Sequence, residues 1–164
     1  MDLLAHYQML ARYNRIANER LYRSCRGLTE EEFQAPRRGS LGSIRGLLNH
    51  ILLGDRVWMA LFEGIAREAP ARDTLLFEAF PDLQTARVRE DEKIETFFGS
   101  LAPVFLARSF AYVNHQGRNY VEAAPVALAH FFNHQTHHRG QVHVMLSQTG
   151  AMVPSLDLHR ILNP

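Results

Sequence analysis

His130-Phe131-Phe132-Asn133-His134-Gln135-Thr136-His137-His138-Arg139-Gly140-Gln141 holds four of the nine histidines of the chain. On an α-helix, which turns about 100° per residue, His130, His134 and His138 stand four apart and form one ladder. Gln141 and Met145 continue the same stripe. Side chains at i and i+4 lie about 5–6 Å apart at Cβ. Two imidazoles at that spacing can converge on one metal ion, as in other His-x-x-x-His helical sites. One helix cannot easily surround an ion, so a further ligand is expected from a facing helix.

Working outward, Pro125 suits the first turn of the helix that carries the ladder, and Gly150 suits the stop after about Gln148. Before it, Arg108 to Glu122 alternates through Phe110, Tyr112, Tyr120 and Val121 around Asn114-His115-Gln116-Gly117, which predicts a β-hairpin. Asp82 is the expected cap of a third helix, running to Leu101 with Leu83, Glu90, Ile94, Phe97, Phe98 and Leu101 at helical spacing. Ala66 to Pro81 lacks periodicity and reads as a connection. Ser40 or Ser43 caps a second helix that runs to about Gly64, with Leu47, His50, Val57, Trp58 and Leu61 on its inner face. The first helix spans Leu3 to Cys25, with Leu3, Tyr7, Leu10, Asn14, Ala17, Leu21 and Cys25 on one face and Gly27 as its stop. Thr29-Glu30-Glu31-Glu32 has the form of a capping box that opens a short helical turn. The tail, with Leu156, Leu158, Ile161 and Leu162, is expected to pack back on the bundle. Residues 1–164 read as a single all-α domain, a four-helix bundle with a short β-hairpin before the last helix.

The totals narrow the partners. Lysine and arginine number 18 against 17 acidic residues, a net charge of +1. This is not the basic excess of a nucleic-acid binder. A single cysteine, Cys25, excludes an intrachain disulfide. No apolar run approaches the roughly 20 residues that span a bilayer, and MDLLAHYQML does not read as a signal peptide. The expectation is a cytoplasmic protein with neither nucleic-acid nor membrane partners.

For the third ligand, His50 fits best, because it shares the inner face with Leu47, Trp58 and Leu61. Gly46 and Gly54 flank it one turn away and are expected to leave room for a water or small ligand. Three histidines with an open position make a catalytic rather than a closed structural arrangement. His137 lies beside the ladder as a candidate hydrogen-bonding support. His143 lies on the opposite side and is expected to be exposed. His6, His115 and His159 carry no motif. Arg87, Glu90 and Asp91 read as a solvated charged flank, with the pocket wall as the alternative. Cys25 reads as buried and inert, Asn14 as a hydrogen-bonded packing residue, and Trp58 as core or pocket wall.

The run from Asn133 to Gln141 resembles the signature of the DinB-like superfamily, the damage-inducible proteins related to the YfiT proteins. Tyr13-Asn14 and Asn18, His50 followed by Trp58, and Leu156-Asp157-Leu158 are similar to its opening, second helix and tail. The resemblance implies a four-helix bundle, often homodimeric. It also implies one divalent metal ion, zinc or nickel, held by His50, His134 and His138, with His130 as a substitute ligand or orienting group. Relatives with known activity imply a thiol-dependent transferase or isomerase using a low-molecular-weight thiol, on which catalytic residues remain unassigned. Metal-dependent hydrolysis and a noncatalytic, ligand-binding stress protein are the alternatives.

Overall fold

The computed structural model describes residues 2–39, 41–65, 70–114 and 116–163. Ser40, His115 and residues 66–69 of the expected connection lie outside them. Four long helices form the bundle: α1 (Leu3–Cys25), α3 (Ile44–Phe62), α4 (Phe80–Gly99) and α5 (Ala124–Leu146). The short α2 (Glu30–Gln34) follows α1, and α6 (Leu158–Leu162) closes the tail. Each of α1 and α3 packs against both α4 and α5.

Local chemistry sets the ends of these helices. Asp2 caps α1 by accepting from the amide of Ala5 at 2.8 Å. Thr29 and Glu32 make the reciprocal bonds of a capping box on α2. Ser43 caps α3 through the amide of Gly46. Gly64, at φ +73°, supplies the left-handed residue after its end. α4, the expected third helix, starts earlier, at Phe80 with Ala79 before it, rather than from a cap at Asp82. Pro81 explains the difference: its missing N–H is no loss in a first turn, and its fixed φ suits one. At the other end of the chain α5 stops at Leu146 with Ser147 as cap, short of Gly150.

The expected hairpin is present. β1 (Ser109–Val113) pairs antiparallel with β2 (Asn119–Ala123), in the register Ser109↔Ala123 to Val113↔Asn119. The Asn114 side chain closes the turn by accepting from the amides of Gln116 and Arg118. The tail packs back as expected. Tyr13 donates its hydroxyl to the Leu156 carbonyl at 2.8 Å, and Ile161 is buried against Tyr13 and Ala17.

Two apolar halves fill the bundle. One gathers Leu21, Phe33, Leu48, Leu52, Leu83 and Leu146, the other Tyr7, Phe62, Phe98, Phe110, Phe131 and Phe132. A buried polar layer crosses the middle, fed by all four long helices: Asn14 and Asn18, Asp55, Arg87 and Asp91, Gln135 and Arg139. Arg87 pairs with Asp55 and, at 3.0 Å, with Asp91. Gln135 donates to the second oxygen of Asp55 at 2.6 Å. Asn14 and Asn18 donate to Asp91 and accept from Arg139.

This layer corrects the reading of Arg87, Glu90 and Asp91 as a solvated flank. Their exposures are 2%, 7% and 3%. On α4 they share a stripe with Ile94; Arg87 and Asp91 pair with each other, and the remaining partners of the three come from other helices. Periodicity within one helix cannot reveal those partners.

Candidate metal centre

α3 and α5 run antiparallel along one side of the bundle. His50 therefore meets His134 and His138, and two turns further along Trp58 meets His130. One ring nitrogen from each of His50, His134 and His138 can be chosen so that all three lie within 4.8 Å of one another. The Nε2 atoms of His50 and His134 are 3.2 Å apart. For comparison, two nitrogens at about 2.0–2.1 Å from a tetrahedral zinc are roughly 3.4 Å apart. The donor set and its spacing fit a divalent ion.

The far side of two of the rings is engaged by oxygen acceptors. His50 Nδ1–H donates to the Arg72 carbonyl at 2.8 Å. His138 Nδ1–H donates to Gln141 Oε1 at 2.9 Å, and the Gln141 amide donates to His137 Nε2 at 3.0 Å. Such bonds select the tautomer whose Nε2 is bare, as metal-binding imidazoles require. His137 thus supports the site through Gln141.

Burial and mutual proximity keep the rings neutral. Desolvation, then the fields of His138, His50, His130 and His137, bring His134 down to about 3. His138 falls to about 4, mainly through desolvation and against the hydrogen bond to Gln141. His50 is also lowered, again by burial. The sign of the consequence follows by linkage. Below about pH 6.5 the unfolded chain takes up protons that the folded rings refuse, so acidification favours unfolding until the folded values are reached. The metal-free protein should therefore lose urea resistance between pH 6.5 and 4, and a His134→Ala/His138→Ala variant should lose less. Identical pH profiles for the two would remove the histidines as the cause.

Other residues fall into place around the triad. His130 is not part of the close group: its ring is 5.9 Å from that of His134 and 5.0 Å from Trp58. Trp58 also meets Tyr112 of the hairpin edge-on at 5.4 Å, so an aromatic wall flanks the site. The glycines do not leave the space expected of them. A Cβ on Gly54 would meet His134 Cε1 at 2.7 Å, so the missing side chain seats the imidazole itself. A Cβ on Gly46 would collide with the Leu41 carbonyl, away from the triad. His143 is half-buried and donates to the Pro154 carbonyl at 3.1 Å, instead of being exposed. Cys25 is buried, and desolvation pushes its thiol up to about 12, so it is unreactive at neutral pH.

Sequence reasoning missed Arg72 and Asn49. Asn49 Nδ2 donates to the carbonyls of Arg45 and Phe77, and its Oδ1 accepts from the amides of Leu76 and Phe77. It thereby ties the segment after Arg72 to the helix turn that carries His50. Buried asparagine inside an apolar stretch was the available signal. Arg72 gave none, since its contribution is a main-chain carbonyl in an aperiodic segment.

Among known proteins, a family model described as the DinB family matches residues 3–164. Protein DinB of Bacillus subtilis (strain 168) is 26% identical over 150 residues, which cover 86% of this chain and 84% of that protein. The crystal structure of a DinB-like protein from Bacillus cereus ATCC 10987 superposes with a TM-score of 0.62 at 20% identity. The superposition covers 85% of this chain and 89% of the other.

Proposed function

The chain belongs to the DinB family, and from that premise we propose that it holds one divalent ion, zinc or nickel, through His50, His134 and His138 and activates a low-molecular-weight thiol for transfer to an electrophile. The observation that carries the reading is the convergence of three neutral imidazole nitrogens. The ion would supply Lewis acidity, stabilising a thiol as its nucleophilic thiolate at neutral pH.

The rest falls to the chain. His50 and His138 are held with Nε2 bare by Arg72 and Gln141. His134 is seated against Gly54. The donor set is uncharged, so a bound dication keeps its full charge and favours an anionic partner. Among the described residues no carboxylate oxygen joins the three ring nitrogens in the group lying within 4.8 Å of one another. Hydrolysis would need a general base, and no carboxylate of the described residues is in place within that group to serve as one, which weighs for thiol activation. Desolvation by the surrounding helices strengthens each of these interactions.

The test is elemental analysis of protein purified without a histidine tag, followed by thiol titration of the metal-loaded protein. Near one equivalent of metal and a spectrum that shifts with thiol are expected. Metal without a thiol response would leave only the metal-binding half of the reading. No metal after reconstitution would end both halves.

A further inference from the structure

The outer supports of His138 and His50 are built differently. His138 leans on Gln141, a side chain three residues further along the same helix. His50 leans on main chain: its Nδ1–H donates to the Arg72 carbonyl at 2.8 Å. Arg72 lies in a turn of the aperiodic segment between α3 and α4, closed by a 3.0 Å bond from the Thr74 amide to the Ala71 carbonyl. Only Leu75 separates that turn from Leu76, so the carbonyl is placed by what fixes the chain there. Asn49, the residue before His50, fixes it. The Asn49 side chain is 0% exposed, and all four of its hydrogen-bonding positions are used. Its Oδ1 accepts from the amides of Leu76 and Phe77 at 2.8 and 2.9 Å. Its Nδ2 donates to the carbonyls of Phe77 and Arg45, each at 3.0 Å. Three of the four bonds therefore reach the segment, and one side chain holds both main-chain groups of Phe77. Leu76 and Phe77 also pack on the first apolar half. Apolar packing has no direction, whereas bonds to an amide and a carbonyl fix how the main chain is turned.

We propose that Asn49 is a positioning residue of the metal centre: it latches the segment 70–79 to α3, so that the Arg72 carbonyl keeps His50 in the tautomer whose Nε2 is bare. Neighbouring residues of one helix thus divide the task, since Asn49 holds the segment and His50 uses it. The readiness of His138 is set within its own helix, but that of His50 depends on a tertiary contact. Closure of the latch and binding of the ion then favour each other by the same factor, because such coupling is reciprocal. The inference rests on the metal-binding reading above and names a residue on which that binding depends.

The test uses the full chain and zinc, with affinity read by competition against a chromophoric chelator. Asn49→Ala should weaken zinc about tenfold, the lower end of the loss expected when a group that orients a ligand is removed. In the metal-free variant at about pH 8, where imidazoles are neutral, ring-nitrogen NMR shifts should show His50 as a mixture of tautomers. The natural protein should show the Nδ1–H form alone. Ile161→Ala is the control: it empties a buried position in the tail cluster and leaves the segment untouched. It should lower stability yet keep the His50 tautomer, and keep zinc affinity within about twofold, because a less stable but folded chain retains its site. In the natural protein zinc should slow hydrogen exchange of the Leu76 and Phe77 amides about tenfold, the reciprocal of the affinity loss. The Ile161 amide, in the short last helix, should exchange at an unchanged rate by local fraying. This last measurement needs no variant and decides the matter even if Asn49→Ala does not fold. Unchanged zinc affinity or an unchanged His50 tautomer in Asn49→Ala, an equal loss in Ile161→Ala, or no effect of zinc on the two amides would each overturn the role of Asn49 and leave the metal reading intact. A natural protein that takes up no zinc would remove the metal reading and this inference with it.

Discussion

We expect His134→Ala, and separately His138→Ala, to lower bound divalent metal from near one equivalent to below about a tenth under dilute conditions. Loss even of an outer group that orients a ligand typically costs 10–100-fold in affinity, and removal of one of three ligands should cost at least that. The three rings form a compact triangle, with centroids 5.1 Å apart for His50 and His134 and 4.5 Å apart for His50 and His138 and for His134 and His138. The variants should keep their helical circular dichroism, because the apolar halves of the bundle lie to either side of the triad. His159→Ala, at an exposed position in α6, should keep its metal. Stoichiometric metal in both triad variants would refute the ligand assignment.

The second large effect belongs to the polar layer. Asp55→Ala should destabilise the metal-free protein by about 3–5 kcal/mol, the usual cost of removing one partner from a buried ion pair. Asp55 is 1% exposed and engages Arg87 and Gln135 through different oxygens. Without it Arg87 keeps only Asp91 as an ion-pair partner, and the Gln135 amide loses its acceptor. Lys93→Ala, which removes the exposed pair with Glu63, should cost only about 0–1 kcal/mol. Urea denaturation of metal-free samples separates the two, since bound metal would add its own stabilisation. Similar midpoints for Asp55→Ala and the natural protein would mean that the layer contributes little to stability.

Much of the bundle was legible in advance because its signals are local. The helices around His50 and His134 repeat apolar residues at the helical period. Thr29 announces the start of α2 and Ser43 that of α3, and Asn114 to Gly117 announces the hairpin turn. Each depends on residues within a few positions of one another. The start of α4 was misread for a local reason too: Asp82 is a good cap by type, but Pro81 just before it is a better first-turn residue.

The candidate centre divides along the same line. A four-residue spacing on one helix brings His134 and His138 together whatever the rest of the chain does, and the inner-face pattern of its own helix turns His50 inward. The amino-acid sequence alone thus determined the helical fold class and the three histidines worth watching. Tertiary structure decided what surrounds them. Arg72 reaches His50 through a carbonyl 22 residues away in the chain, and Gly54 of α3 makes room for His134 of α5. Beyond their own i,i+4 pair, Arg87 and Asp91 of α4 find their partners on α3 and α1. A periodic pattern records which way a side chain points from its own helix. Its neighbours across the gap are set by how separate helices pack, and no spacing within one segment encodes that.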